Sequence, residues 1–471
     1  MKSNCLATAA LACLAAWPAF AADWPMWGGR PDRNMVSDEK GIPRTWDLKT
    51  KTNIKWVAEL GSQSYGNPVI ADGKVFVGTN NELLRNPKLG NDRGVVMCFR
   101  ESDGKFLWQM THEKLASGRV NDWPEQGVCS SPAVVGKVAY YVSNRAEVIA
   151  VDTEGFLDGE NDGPFVEEEE TSQTDGDVLW KLDMYEELAV FPHNMAATSP
   201  LVAGDILFVN TSNGVDESHI NIPFPDAPSF LAIDRHTGEI LWEDGSPGEN
   251  ILHGQWASPA YGEILGKEQV IFAGGDGWLR SFEPKTGELI WEFDCNPKES
   301  EWKQGRGDRN NIIATPVVYD DKVFVAVGQD PEHGEGIGHL WAIDGTGTGD
   351  ITKTGVVWHH DFRRTISTAA IDDGILYVPN FSGFFHALDV ETGKLLWEHD
   401  MFAAVWGSPF VVDGKVMLGD EDGDLTVLKA GRVMEVLSEI NFGNTIYSTP
   451  VVANDTLYIM TRSHLYAISG K

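Results

Sequence analysis

The chain has 471 residues, enough for one large repeat domain or about three ordinary ones. Its 70 acidic against 37 basic residues leave a formal charge of −33. So negative a surface repels phosphate backbones, which excludes nucleic acid as a partner and favours solubility and cationic or metal ligands. Hydrophobic residues at 42% allow a substantial core, and 49 Gly with 17 Trp point to short strands in repeated hairpins.

Residues 1–21 have the layout of a secretory signal peptide. Lys2 supplies the positive start, Leu6 to Trp17 the short apolar run, and Ala19-Phe20-Ala21 the cleavage site. The run is too short to span a bilayer, and no later segment approaches spanning length. The mature protein is therefore expected to be periplasmic or secreted, without a transmembrane segment, and monomeric. Of five cysteines, Cys5 and Cys13 fall in the signal. Cys98, Cys129 and Cys295 are widely spaced and odd in number, so they read as buried apolar residues, with a Cys98–Cys129 bridge as the alternative. Residues 22–52 form an N-terminal extension before the first strand, Asn53-Ile54-Lys55-Trp56-Val57.

From there to the end, residues 53–471 are a repeat. Each copy begins with a small hydroxyl residue or Asn, then Pro, alternating Val/Ile, a Gly/Asp turn and a second apolar strand. The Pro positions are 68, 132, 200, 259, 316, 409 and 450, and Ala369 stands in the same phase. That makes eight copies, at spacings between 40 residues (369 to 409) and 68 residues (132 to 200). A second phrase, apolar-x-Asp-x-x-Thr-Gly followed by Leu-Trp, closes most copies. It is cleanest from Asp234 to Trp242 and from Asp389 to Trp397, close from Glu283 to Trp291, and looser before Trp108, Trp180 and Trp358. The Asp/Thr-Gly pair makes a tight turn, and the Trp covers a neighbouring sheet. No copy can bury both faces alone, so the copies must stack in a ring. The last copy stops at Ser469 without an outer strand, and the strand carrying Trp56 is the missing piece. The expected fold is all-β: an eight-bladed β-propeller of four-stranded antiparallel blades, closed by the N-terminal strand joining the last blade.

Ala232 to Trp242 and Ala387 to Trp397 resemble, position by position, the pyrroloquinoline-quinone (PQQ) type repeat, Ala-x-Asp-x-x-Thr-Gly-x-x-x-Trp. The resemblance covers about residues 53 to 469. Asp23-Trp24-Pro25-Met26-Trp27-Gly28-Gly29 is also similar to the opening of secreted PQQ-like repeat proteins. Quinoprotein alcohol and glucose dehydrogenases and the outer-membrane assembly protein BamB share such repeats, so the resemblance implies the propeller and brings PQQ and calcium into view as cofactors. The repeat is structural and does not itself bind the quinone. The adjacent cysteine pair usual in the quinoprotein alcohol dehydrogenases is absent, as are their haem motif and their recognisable Ca²⁺ ligands.

Aligned on the Pro position, the residue six places upstream is Ser62, Gln126, Asn194, His253, Asn310, Arg363, Ala403 or Asn444. Seven of these are polar and would meet at one mouth of the central channel, where a ligand site is expected. His193, Gln255, Trp256, Asn311, Arg364 and Trp406 flank them. Arg363 could pair with an anionic group and Trp406 could stack on a flat ring. An insertion at residues 330–335 is long enough to fold over that mouth, and the loop before the second copy offers Asp122, next to Asn121 and near Arg119, as a candidate for proton abstraction. An acidic insertion in the second copy reads Asp158-x-Glu160-x-Asp162-Gly163 and then Glu169, the spacing of a calcium loop, although no helices flank it.

Together these features lead to a binding or scaffolding module in the cell envelope, holding a small-molecule or envelope-protein ligand at the channel mouth. The alternative is a quinoprotein-like oxidoreductase using PQQ and calcium to oxidise alcohols or sugars. A polysaccharide hydrolase or lyase finds no motif. No catalytic residue is assigned.

Overall fold

The computed structural model describes residues 22–303, 307–329, 333 and 336–470; the expected signal peptide, residues 1–21, and most of the 330–335 loop lie outside them. Eight antiparallel sheets follow one another around a ring. Blade 1 spans 69–113, blade 2 133–183, blade 3 201–244 and blade 4 260–294. Blade 5 spans 317–363, blade 6 370–400, blade 7 410–441 and blade 8 451–468 with 54–59. The only α-helix among the described residues is the single turn Met184–Glu187, so none is long and apolar enough to cross a membrane.

The ring closes as the repeat requires. Ile54–Glu59 pairs antiparallel with His464–Ile468, with Trp56 opposite Ala467 and Ala58 opposite Leu465. The four-stranded last blade is thus built from both ends of the propeller, which removes its open edge. Two short parallel additions were not legible in the repeat: Gly349–Asp350 on the outer strand of blade 4, and Val36–Ser37 on the inner strand of blade 7.

The docking role of the tryptophans has a definite geometry. The indole N–H of Trp242 in blade 3 donates to the Pro284 carbonyl in the turn between the third and fourth strands of blade 4, at 2.9 Å. Trp56, Trp108, Trp180, Trp358 and Trp397 do the same to Glu101, Thr153, Arg235, Val390 and Gly431 of their next blades, at 2.8–3.1 Å. The ring lies on the Gly of the Thr-Gly pair. A Cβ on Gly238 or Gly287 would sit 2.7 Å from Trp180 or Trp242, and both glycines have φ above +70°. The Gly of the motif is therefore required twice, for the left-handed turn and for the indole above it. Trp291 departs from the pattern: its N–H donates to Gln269 of its own blade, and its strand carries the added Gly349–Asp350.

The small polar residue before each Pro also has one role. The backbone N–H of Asn67 donates to Ser131 Oγ, and that of Ser131 to Ser199 Oγ. The chain of bonds continues through Ser258, Thr315, Thr368, Ser408 and Thr449, then returns to Asn67 Oδ1. All eight bonds fall between 2.7 and 3.2 Å, a closed belt around the channel that satisfies one buried N–H per blade. The inner strand starts one residue after the Pro position in every copy. Pro has no N–H to leave unpaired at this crowded axis, and it holds the preceding residue extended.

The extension folds as a plug across one end of the channel. Residues 22–37 hydrogen-bond to the backbone at Ile70, Val134, Tyr261, Val318, Ile371, Val411 and Asn454. Arg33, fully buried, lies at its centre. It donates to the carbonyls of Pro259 and Trp27 at 2.7 and 2.5 Å, and to those of Ser199 and Pro200 at 3.3 and 3.2 Å. Burial lowers its pKa to about 9, partly opposed by Asp32. All eight blades are tied to this segment, and the channel is blind.

Candidate functional site

The open half of the channel is lined in layers set by the repeat. Three residues before each Pro position stand Tyr65, Cys129, Ala197, Trp256, Ile313, Ile366, Trp406 and Tyr447, and all eight face the axis. On the mouth side of this ring is a cavity of about 350 Å³; on the plug side, over the hydroxyl belt and Trp27, is one of about 150 Å³. Tyr65 stacks on Tyr447 at 4.8 Å and 11°, and Trp406 meets Tyr447 edge-on at 5.0 Å. Trp256, from the fourth copy, stands opposite these rings of the seventh, eighth and first. Its indole N–H is shared between the carbonyls of His193 and Met195, and that of Trp406 donates to Glu421 at 2.6 Å.

No Lys, Arg, Asp or Glu is among the described residues lining either cavity. Burial pushes the Cys129 thiol up to about 12 and raises the Tyr65 phenol, so neither ionises readily. The described lining offers flat apolar faces and neutral hydrogen-bonding groups, with no acid–base pair among them. A planar quinone would find rings to stack on. Among the described residues that line the two cavities no cation meets its carboxylates and no carboxylate meets a Ca²⁺ ion, so this lining gives PQQ with calcium no charged partner.

The residues singled out six places upstream of the Pro are divided by the structure. Gln126 and Asn194 line the mouth cavity, as do the flanking Trp256 and Trp406. Asn310 is buried, its amide spent on the carbonyls of Asp308 and Ile337. Asn444 donates to Ser463, and Ser62 exchanges hydrogen bonds with Asn80. Arg363 is exposed and packs over Phe384 at 4.9 Å, while its neighbour Arg364 is buried and donates to the carbonyls of His333 and Gly307. His253 joins a cluster with His193 and His219 beside Trp256. At this phase the backbone packs on a turn of the preceding blade, as Asn310 does on Gly277 and Asn444 on Gly423. The backbone serves that junction, while the side chains of Asn310 and Asn444 bond within their own blades.

Among the described residues, two groups could hold a metal ion through three ligand atoms within 4.8 Å of one another: His193, His219 and His253, and His339, His359 and Asp361. The acidic insertion is not gathered in this way. Glu169 is held by Arg93 at 2.8 and 3.1 Å, Asp158 accepts from the Glu160 N–H, and the Asp162 N–H goes to Asp177. Cys98, Cys129 and Cys295 are buried and free, so the Cys98–Cys129 bridge is absent.

Beside that insertion lies a buried titratable pair. His112 touches the Tyr141 hydroxyl at 2.9 Å, with Glu147 at 3.8 Å. Burial lowers the His112 pKa to about 4 although Glu147 raises it. The unfolded chain then binds this proton near pH 6.5 and the folded one does not, so stability is full above pH 6.5 and falls towards pH 4. Asp177 and Asp420, raised by burial to about 6, act in the opposite direction between pH 4 and 6. Compared with wild type, His112→Gln should flatten the acid limb by roughly 3 kcal/mol between pH 7 and 4. Urea midpoints across that range measure it, and parallel pH profiles would show His112 to be silent.

Fold and channel together define a PQQ-type repeat propeller with a blind, neutral, aromatic-lined channel. The chain belongs to the family described as outer membrane protein assembly factor BamB, whose profile matches residues 170–350 and 338–471. It is 23% identical over 385 residues to the outer membrane protein assembly factor BamB of Yersinia pestis, covering 79% of this chain and 78% of that one. A polyvinylalcohol dehydrogenase of a Sphingopyxis species is 25% identical over 233 residues, 41% of this chain and 33% of the other. Among solved structures, BamB of Moraxella catarrhalis superposes with a TM-score of 0.56 at 17% identity, over 88% of this chain and 96% of that one. A europium-containing methanol dehydrogenase superposes with a TM-score of 0.63 at 14% identity, over 95% and 98%. At such identities the likeness of the structures is one of fold.

Proposed function

We propose that this protein is a binding or scaffolding module of the cell envelope, exported to the periplasm or beyond, which seats an uncharged, largely apolar group of its ligand in the blind channel. The observation that carries this reading is the layer of Tyr65, Trp256, Trp406 and Tyr447 around a cavity of about 350 Å³ with no charged wall among the described residues. Rings fixed by packing recognise a flat or aliphatic group at low entropic cost, in the manner of an aromatic hot spot. An envelope-protein partner agrees with membership of the BamB family; a small molecule of the same chemistry would use the same walls.

The quinoprotein alternative is less favoured by the neutral lining. Titrating the purified protein with PQQ and Ca²⁺ separates the two. The binding reading expects no tightly held chromophore and no dye reduction with alcohols or sugars. A stoichiometric quinone complex that turns over would overturn it.

A further inference from the structure

A second feature of the mouth has no part in that reading. His193 and His253 precede the inner strands of blades 3 and 4, and His219 sits in the long loop within blade 3. The three come together because adjacent blades deliver their lead-in segments to one corner. His193 and His253 are each about 1% exposed, while His219 is half-buried. The ring centroids lie 4.3–4.9 Å apart, and one nitrogen from each ring lies within 4.8 Å of the other two.

The hydrogen bonds around these rings prepare their lone pairs. His193 Nδ1 is 2.8 Å from the Val215 carbonyl, which can only accept, so Nδ1 carries the proton and Nε2 keeps its lone pair. A ligating histidine is usually oriented by just such a carbonyl. His219 Nδ1 and His253 Nε2 are 2.8 Å apart. Two imidazole nitrogens bound to one ion at about 2.0–2.1 Å stand about 3.0–3.4 Å apart, so a slight spreading of this pair would admit an ion in place of the proton between them. His333 lies against His253 at 4.7 Å, and Trp256 and Trp302 wall the cluster.

We propose that His193, His219 and His253 form a binding site for one borderline divalent transition-metal ion such as Zn²⁺. Three imidazoles suit Zn²⁺, Ni²⁺ or Cu²⁺, whereas Ca²⁺ and Mg²⁺ require oxygen donors. His219 also lines a cleft of about 880 Å³ with Trp278, Trp302, Arg280 and Arg309. A fourth ligand would reach the ion from this cleft, while Trp256 places the ion beside the channel wall. The chain's charge of −33 favours accumulation of cations at its surface.

The test uses the purified mature protein stripped with a chelator, titrated with Zn²⁺ alone and, in parallel, with Co²⁺ as an optical probe. The expected result is one tightly bound equivalent, with an intense visible Co²⁺ band typical of four- or five-coordination. His219→Ala, on a half-buried loop residue, should keep the fold and weaken binding about 100-fold or more. His359→Ala, in the other histidine group, should keep the equivalent. If His219→Ala is poorly folded, His219→Gln and the wild-type Co²⁺ spectrum decide. The proposal is overturned if wild type binds no stoichiometric Zn²⁺, if the Co²⁺ band is the weak one of a six-coordinate ion, if His219 variants bind like wild type, or if His359→Ala loses the equivalent.

Discussion

Arg33→Ala is expected to destabilise the protein by roughly 3–5 kcal/mol. The guanidinium is fully buried and donates to four carbonyls, which would be left facing one another at the channel axis. Because residues 22–37 touch every blade, their loosening should also open the plugged end. Arg33→Lys should recover only part of the loss, since one ammonium cannot reach carbonyls arranged around a planar fork. Urea unfolding gives the stability, and protease cleavage within 22–37 reports the loosening. A midpoint unchanged in Arg33→Ala would mean that the segment is an ornament on an already complete ring.

Trp242→Ala and Trp397→Ala are each expected to cost roughly 3–5 kcal/mol, because each leaves a cavity between two blades and a carbonyl without its donor. Trp242 bonds Pro284 and Trp397 bonds Gly431, both at 2.9 Å. Gly287→Ala attacks the same junction from the other side, placing a methyl 2.7 Å from the Trp242 ring at a φ of +71°, and should also be destabilising. The paired variant Trp242→Ala with Gly287→Ala should cost less than the sum of the two, since the clash disappears with the ring. Wild-type midpoints for the Trp variants, or strict additivity in the pair, would contradict the docking role.

The repeat was readable because each blade solves the same problem with the same atoms. The residue before each Pro, the Thr-Gly turn and the closing Trp recur because the belt, the left-handed turn and the indole contact recur. Trp56 matched the closing Trp of the other copies, so the closure of the ring was legible too. The channel lining obeys the same register: Gln126 and Asn194, six places before the Pro, share the mouth cavity with the ring of residues three places before it. Six places before the Pro, Asn310 and Asn444 spend their side chains on bonds within their own blades; three places before it, Tyr65, Trp256, Trp406 and Tyr447 face the axis. The signal for that ring was its phase, since every residue there is aromatic, aliphatic or small, and polarity alone pointed elsewhere. The plug and the third member of the histidine cluster, His219, lie beyond any repeat, although His253 and His193 fall in or beside its register. Arg33 reaches Pro259 across 226 positions, and His219 comes from a loop particular to blade 3, so only the folded chain brings them to their partners.

The central claim is that a ligand of the envelope seats in the aromatic channel. It is tested most directly by placing a photo-activatable phenylalanine analogue at Met195, which lines the mouth cavity. The full protein would then be irradiated in the cells that make it, with and without the Trp256→Ala and Trp406→Ala substitutions. The expected result is a defined adduct with one envelope component, lost when both rings are removed although the protein remains folded. Absence of any adduct from the channel, or an adduct indifferent to both substitutions, would contradict it.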